Sequence, residues 1–374
     1  MKVVTIVGAR PQFIKSAALS KAMKGKSIEE VLLHTGQHYD PNMSQVFFDE
    51  LEIAAPKYNL NVGSGSHAQQ TAKMMIGIEE VLVKEKPDCV ILFGDTNSTL
   101  AGAVVAAKMN IPIAHVEAGL RCFLRYVPEE QNRIVADHLS TFNFTPSENG
   151  RKWLADEGIT ENVYNFGDIM VDGLLFYSEK AERYDLDYYC KKLLPIDNKV
   201  IKKETIEKGW CFSTIHRQEN TDSLEKIMGI LDALNEYTYP VILPLHPRTR
   251  HLLPEGSMEK YQNIFFVEPL AYMDTIYFAK HAKMVVTDSG GLHKECYCLK
   301  IPSVVIAVNS CWAETFVGNW ATLASPQKDD ITRKMRNINV DETLWSPVYG
   351  DGKAARRIVD KLIDKLSGNE DIKN

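Results

Sequence analysis

The sequence has no apolar run long enough to cross a bilayer. Its first one, Val3-Val4-Thr5-Ile6-Val7 behind Met1-Lys2, stops at Gly8, far short of the roughly 18 residues a spanning helix needs. It reads as a first strand rather than a signal peptide. Positive charge is not in excess either: the formal net charge is -6, so neither nucleic acid nor an anionic membrane surface is expected as a partner, and a bound anion has to be held by local groups. The seven cysteines are an odd number spread thinly along the chain, as expected for free thiols in a cytoplasmic protein. Cys296-Tyr297-Cys298 is not a Cys-x-x-Cys pair, and no second pair lies at zinc-ligand spacing, so no metal is expected. The first strand does not lead into Gly-x-Gly-x-x-Gly, which argues against a dinucleotide cofactor. Internal repeats and low-complexity segments are absent as well.

What is present is an alternation of short apolar runs with longer helical stretches. The runs Val3 to Val7, Val31 to His34, Cys89 to Phe93, Pro112 to Val116 and Phe142 to Thr145 fill the first half. A second series comprises Trp210 to Thr214, Val241 to Leu245, Ile264 to Val267, Met284 to Thr287 and Ser303 to Ala307. Near-continuous apolar strands between helices predict parallel sheets covered on both faces, and 374 residues with 45% hydrophobic content suit two such domains. The fold class expected is α/β, with two Rossmann-like doubly wound domains. The expected division is 1–172, 173–350, and a terminal segment 351–374 whose helix has apolar positions from Ala354 to Leu366 and a frayed end. Tyr184 to Gly209, rich in Lys, Asp, Glu and Tyr, reads as a surface helix plus irregular linker.

In doubly wound sheets, ligands bind beyond the carboxyl ends of the strands, where the polar peculiarities of this chain gather. After the first run comes Gly8-Ala9-Arg10-Pro11-Gln12-Phe13-Ile14-Lys15, a tight turn and helix start carrying two cations, Arg10 and Lys15. A plain strand-to-helix turn with solvated cations fits equally well. Gly94-Asp95-Thr96 follows the third run, where capping of the next helix would account for one of the two polar side chains. His115-Val116-Glu117-Ala118-Gly119-Leu120-Arg121 sets an acid beside glycine at a strand end, which capping does not explain. In Pro128-Glu129-Glu130-Gln131-Asn132-Arg133, Glu129 and Arg133 are four apart and share a helix face. That spacing suits an exposed ion pair as well as a site.

In the second half, Thr214-Ile215-His216-Arg217 and His246-Pro247-Arg248 each place a histidine backed by arginine at a strand exit, a pattern suited to an anion. Thr287-Asp288-Ser289-Gly290-Gly291-Leu292-His293-Lys294-Glu295 exposes backbone N–H groups and a hydroxyl at a helix start, which makes a diphosphate cradle. A flexible turn is the plain alternative.

Together, Gly8-Ala9-Arg10-Pro11, Thr35-Gly36-Gln37-His38, Gly94-Asp95-Thr96, His115 to Arg121, Pro128 to Arg133, His216-Arg217 and Asp288 to Gly291 occur in an order that resembles the non-hydrolysing UDP-N-acetylglucosamine 2-epimerase family over residues 3 to 320. The resemblance implies a GT-B-like pair of domains with an interdomain cleft, a last helix returning to the N-terminal domain, a homodimer, a UDP-sugar substrate, and products that feed surface polysaccharide precursors. It casts Asp95, Glu117, Glu129 and His216 as catalytic, with Arg10, Lys15, Arg133, His246, Ser289, Gly290, Gly291 and Glu295 around the UDP-sugar; Glu295 would face the ribose. The chain departs from the family's usual spelling at Ala9 and Gln12, and at Val308-Asn309-Ser310-Cys311-Trp312-Ala313-Glu314, where it looks more like the branch acting on UDP-2,3-diacetamido-2,3-dideoxyglucuronate. A GT-B glycosyltransferase, a hydrolysing 2-epimerase and a non-catalytic sugar-nucleotide sensor remain the alternatives.

Overall fold

A computed structural model describes residues 1–36, 55–197 and 199–367, excluding the side chains of Arg10, Pro247 and Arg248. The chain divides into two compact units, Met1–Gly173 with Val348–Asn374, and Leu174–Pro347.

The first unit contains the strands β1 (Lys2–Val7), β2 (Glu29–His34), β3 (Tyr58–Asn59), β4 (Cys89–Phe93), β5 (Ile113–Val116), β6 (Phe142–Thr145) and β7 (Val163–Asn165). They pair in parallel in the order β3-β2-β1-β4-β5-β6-β7. The second contains β8 (Cys211–Thr214), β9 (Val241–Pro244), β10 (Ile264–Val267), β11 (Met284–Thr287), β12 (Ser303–Ile306) and β13 (Ala321–Ala324), parallel in the order β10-β9-β8-β11-β12-β13. Both follow the doubly wound 3-2-1-4-5-6 sequence, which reverses direction between the first and fourth strands of each sheet. The fold is therefore two Rossmann-like α/β units.

Residues of β1, β2, β4, β5, β6, β8, β9, β11 and β12 are mostly buried, as parallel strands covered on both faces must be. In the first unit Val4, Ile6, Val31, Leu33, Val90 and Leu92 meet Met74, Ile78, Val81 and Leu82 of helix α2 (His67–Glu85). They also meet Ala101, Val105 and Ala106 of α3 (Asn97–Lys108). The corresponding core of the second unit sets Val241, Leu243 and Val286 against Ile227, Ile230, Leu231 and Leu234 of α5 (Leu224–Asn235).

Read from composition as surface helix and linker, Tyr184–Gly209 turns out to build part of the second core. Tyr189 is fully buried and stacks on Tyr277 at 3.7 Å between ring centroids, and Ile201 and Ile206 join the same cluster. Tyrosine carries a large apolar body behind its polar tip, so a tyrosine-rich run does not have to be surface. The terminal helix α7 (Ala354–Ser367) packs on α1 (Arg10–Met23) and buries Ala354, Ala355, Ile358, Val359 and Leu362. Its first amides donate to the Asp172 carboxylate, Ala354 at 3.0 Å and Ala355 at 2.8 Å.

Candidate active site

The loop after β1 is held by one side chain. Gln12 accepts from the Gly8 and Ala9 amides at 2.7 and 3.1 Å and donates to the Phe93 carbonyl at 2.7 Å and to the hydroxyls of Thr96 and Thr99. A glutamate could accept the first two bonds but could not donate to Phe93, so the amide fits this turn. Gly8 has no room for a side chain, because a β-carbon there would sit 2.0 Å from Ser98 Oγ and 2.4 Å from Thr35 Oγ1. Gln37 and His38 of the Thr35 motif lie outside the described residues. Arg10 begins α1, but its side chain is among those not described.

One turn into α1, Lys15 donates to Glu117 Oε1 at 2.8 Å, both side chains being buried. Glu117 sits at φ +71°, a left-handed backbone that a non-glycine residue adopts only when its surroundings enforce it. Gly94 lies against the pair: a β-carbon there would stand 3.2 Å from Glu117 Oε1 and 3.4 Å from Lys15 Nζ. Its neighbour Asp95, half-buried, is ion-paired to Arg133 on α4 (Pro128–Leu139), and Asn132 of the same helix donates to the Asp95 carbonyl at 2.8 Å.

The two adjacent glutamates of α4 have separate fates. Glu130 is buried, accepts from the Cys122 and Phe123 amides, and pairs with Arg133 at 3.0 Å. Glu129 is exposed at the start of the helix, and among the described residues Arg133 pairs with Glu130 and Asp95, not with Glu129. The face-sharing pair expected from the four-residue spacing is thus not the one that forms.

In the second unit, the crevice between β8 and β11 is organised by Asp288, which is fully buried. Its carboxylate accepts from the His216 amide at 3.0 Å, the Arg217 amide at 2.9 Å and Asn220 Nδ2 at 3.2 Å. It also lies 3.4 Å from His216 Nδ1, while the His216 side chain stays half exposed. Ser289 caps α6 (Gly290–Cys298), accepting from the Leu292 amide at 3.3 Å. The first amides of a helix have no intrahelical acceptor; here they belong to Gly290 and Gly291, of which Gly291 is exposed.

Cations surround this helix start. Arg217 Nη2 and Trp312 Nε1 lie 3.4 and 3.7 Å from the position of a β-carbon on Gly290. Lys294, buried, sits over the Trp312 ring at 3.9 Å. Burial, reinforced by the charges of Lys294 and Arg217, drives the His293 imidazole down to about 3. His293 is therefore neutral and structural, bonded to the Thr315 hydroxyl at 2.8 Å. Glu295 is buried and accepts from the Tyr272 hydroxyl at 2.7 Å. His246 is exposed at the exit of β9.

Each unit thus assembles its own subset of the residues singled out in the sequence: Lys15, Asp95, Glu117 and Arg133 in the first, His216, Ser289, Gly290, Gly291 and Glu295 in the second. The sequence did not single out Asp137, Glu130, Lys294 or Asp288 as functional. Glu130, Asp288 and Lys294 stood inside quoted motifs, whereas Asp137 lay outside all of them and carries no local signal, because what matters about it is partners distant in sequence.

The family model for UDP-N-acetylglucosamine 2-epimerase matches residues 21–363. A UDP-N-acetylglucosamine 2-epimerase homolog of Methanococcus maripaludis is 44% identical, over 97% of this chain and 99% of its own length. The UDP-2,3-diacetamido-2,3-dideoxy-D-glucuronate 2-epimerase of Pseudomonas aeruginosa is 38% identical, over 97% of this chain and 99% of its own. Among solved structures, the Methanocaldococcus jannaschii UDP-GlcNAc 2-epimerase in complex with UDP-GlcNAc and UDP superposes with a TM-score of 0.85 at 36% identity, covering 97% of this chain and all of that one.

Proposed function

Because the chain belongs to the UDP-N-acetylglucosamine 2-epimerase family, we propose that it inverts C2 of a UDP-linked 2-acetamido sugar without net hydrolysis. The observation that carries this reading is the Lys15–Glu117 pair packed against Gly94. It presents a desolvated carboxylate of the kind that exchanges protons with carbon.

The C2 proton of such a sugar is not adjacent to a carbonyl, so a base alone cannot remove it. The C1–O bond breaks first, its electron pair leaving with UDP. The oxocarbenium character that develops at C1 acidifies C2–H, and loss of that proton leaves a glycal. A proton then reaches C2 from the opposite face, and the UDP oxygen re-forms the bond to C1. Asp95, Glu117 and Glu129 are assigned the proton transfers at C2, and His216, oriented by Asp288, supplies a proton to the departing diphosphate and takes it back as the C1–O bond re-forms. Arg10, Lys15, Arg133, Ser289, Gly290 and Gly291 offset its charge. Glu295 serves the ribose, and His246 lines the nucleotide side. Residues 1–172 are assigned the acid/base groups and 173–350 the UDP cradle. No redox step occurs, so no cofactor is required.

Relatives acting on UDP-GlcNAc and on the diacetamido uronate both support this substrate class. The cysteines, none in a disulfide among the described residues, suit a reducing cytoplasm, and among the described residues no helix is long and apolar enough to cross a membrane. A homodimer is the working assembly proposed. The deciding experiment is NMR of the purified protein in deuterated buffer with UDP-GlcNAc and, separately, with the UDP-diacetamido uronate. The C2 epimer should appear with deuterium at C2 and without stoichiometric free UDP; no conversion of either sugar would overturn the reading.

A further inference from the structure

Asp137, on α4, is buried and gathers three partners onto one carboxylate. His115 Nδ1 lies 2.7 Å away, Arg121 Nη1 donates at 2.6 Å, and the Gly119 amide at 3.1 Å. The other ring nitrogen of His115, Nε2, donates to the Gly94 carbonyl at 2.7 Å, since a carbonyl oxygen can only accept. Burial alone would raise the Asp137 carboxyl, but the His115 hydrogen bond and the Arg121 charge outweigh it and hold the group below its usual range. Arg121 is in turn clamped by Glu157 at 2.6 and 2.8 Å.

This carboxylate therefore grips two turns at once, the one bearing Asp95 through His115 and Gly94, and the one bearing Glu117 through Gly119. Within the second turn the Glu117 and Ala118 amides both donate to the Phe144 carbonyl, at 3.1 and 3.0 Å. A strained left-handed residue persists only where its surroundings over-determine it, and these bonds supply that constraint at Glu117. Among the described residues, neither His115 nor Asp137 hydrogen-bonds a side chain assigned to the chemistry. We propose that His115 and Asp137 are positioning residues that set the spacing of the Asp95 and Glu117 turns for proton transfer at C2. This inference rests on the epimerase reading for its role, though not for its geometry.

The test uses three variants of the full chain: Asp137→Asn, His115→Gln and His115→Asn. Glutamine reaches about as far as Nε2 and can keep the donor to Gly94, whereas asparagine reaches only as far as Nδ1. We expect kcat to fall about 100-fold in Asp137→Asn and His115→Asn, as for an ångström-scale displacement of reacting groups, and less in His115→Gln. KM and the Kd for UDP should stay within about twofold, the pattern of an interaction felt only in the transition state. Amide hydrogen exchange should accelerate roughly tenfold in residues 94–97 and 117–119 but not in β8 or β11. Turnover within about threefold of the parent, or equal losses in the two His115 variants, would overturn the proposal. If Asp137→Asn does not fold, the two His115 variants decide by the same criteria. If the parent binds UDP but inverts no C2 centre, the epimerase reading fails; the exchange comparison then decides the positioning claim alone, unchanged protection refuting it.

Discussion

The two units share a strand order and each sets candidate site residues near the reversal in it, β1 beside β4 in one and β8 beside β11 in the other, yet they fill it with opposite chemistry. The first lines it with charged side chains that neutralise one another: Lys15 with Glu117, Arg133 with Asp95 and Glu130, Arg121 with Asp137. The second keeps a buried carboxylate there, Asp288, occupied with backbone amides, and begins α6 with two glycines. A reversal point supplies only a crevice at the strand ends. What it does depends on whether side chains or backbone dipoles face it: the first can move protons, the second can hold an anion.

The largest effect that separates them should come from Glu117→Gln. It removes a proton acceptor while keeping the shape, so deuterium entry at C2 should slow by roughly a thousandfold, within the range for general base loss. UDP affinity measured by calorimetry should be unchanged. A parallel loss of UDP binding would break the division between the units.

Gly290→Asp sharpens the other half. A carboxylate in the first turn complements the helix dipole and should hold or raise the melting temperature, by about 0.3–1 kcal/mol of stability. The same charge repels a diphosphate and should weaken UDP binding about 100-fold, some 2.7 kcal/mol. Unaltered UDP binding would remove the cradle from α6.

The smallest effect concerns stability. Burial is the main cause that raises Asp172 to about 6, with Asp168 and Asp351 adding to it, against the pull of the Ala354 and Ala355 amides. With the folded value above the unfolded one, the native state binds the extra proton. Asp172 thus contributes stability at acid pH that is lost as pH rises from about 4 through about 6. Melting temperatures of Asp172→Asn and the parent should differ in slope across that interval, the variant being flatter. Parallel curves would show that Asp172 does not titrate there.

The central strands were legible because burial on both faces leaves an apolar run with no alternation to confuse it. The edge strands β3, β7 and β13 were not, since Tyr58, Val163, Tyr164, Thr322 and Leu323 are only partly covered, Asn59 and Asn165 are exposed, and none of the three carries such a run. The glycine motifs did mark turns, Gly36, Gly94 and Gly119 having positive φ, because a tight turn constrains the residue locally. Which of two neighbouring glutamates enters the interior was not legible. Glu129 and Glu130 differ by one helical step of about 100 degrees, and only the packing of α4 beneath the Cys122–Phe123 amides selects Glu130.

By itself, the sequence determined the two-fold alternation of strand and helix and the turns where polar residues gather, because both follow from periodicities and local backbone freedom read within a few residues. The tertiary structure alone decided the charge partners: Lys15 with Glu117, Asp137 with His115 and Arg121, Lys294 over Trp312. Electrostatic contacts act through space across strands far apart in the chain, and their strength depends on a burial that no local pattern encodes.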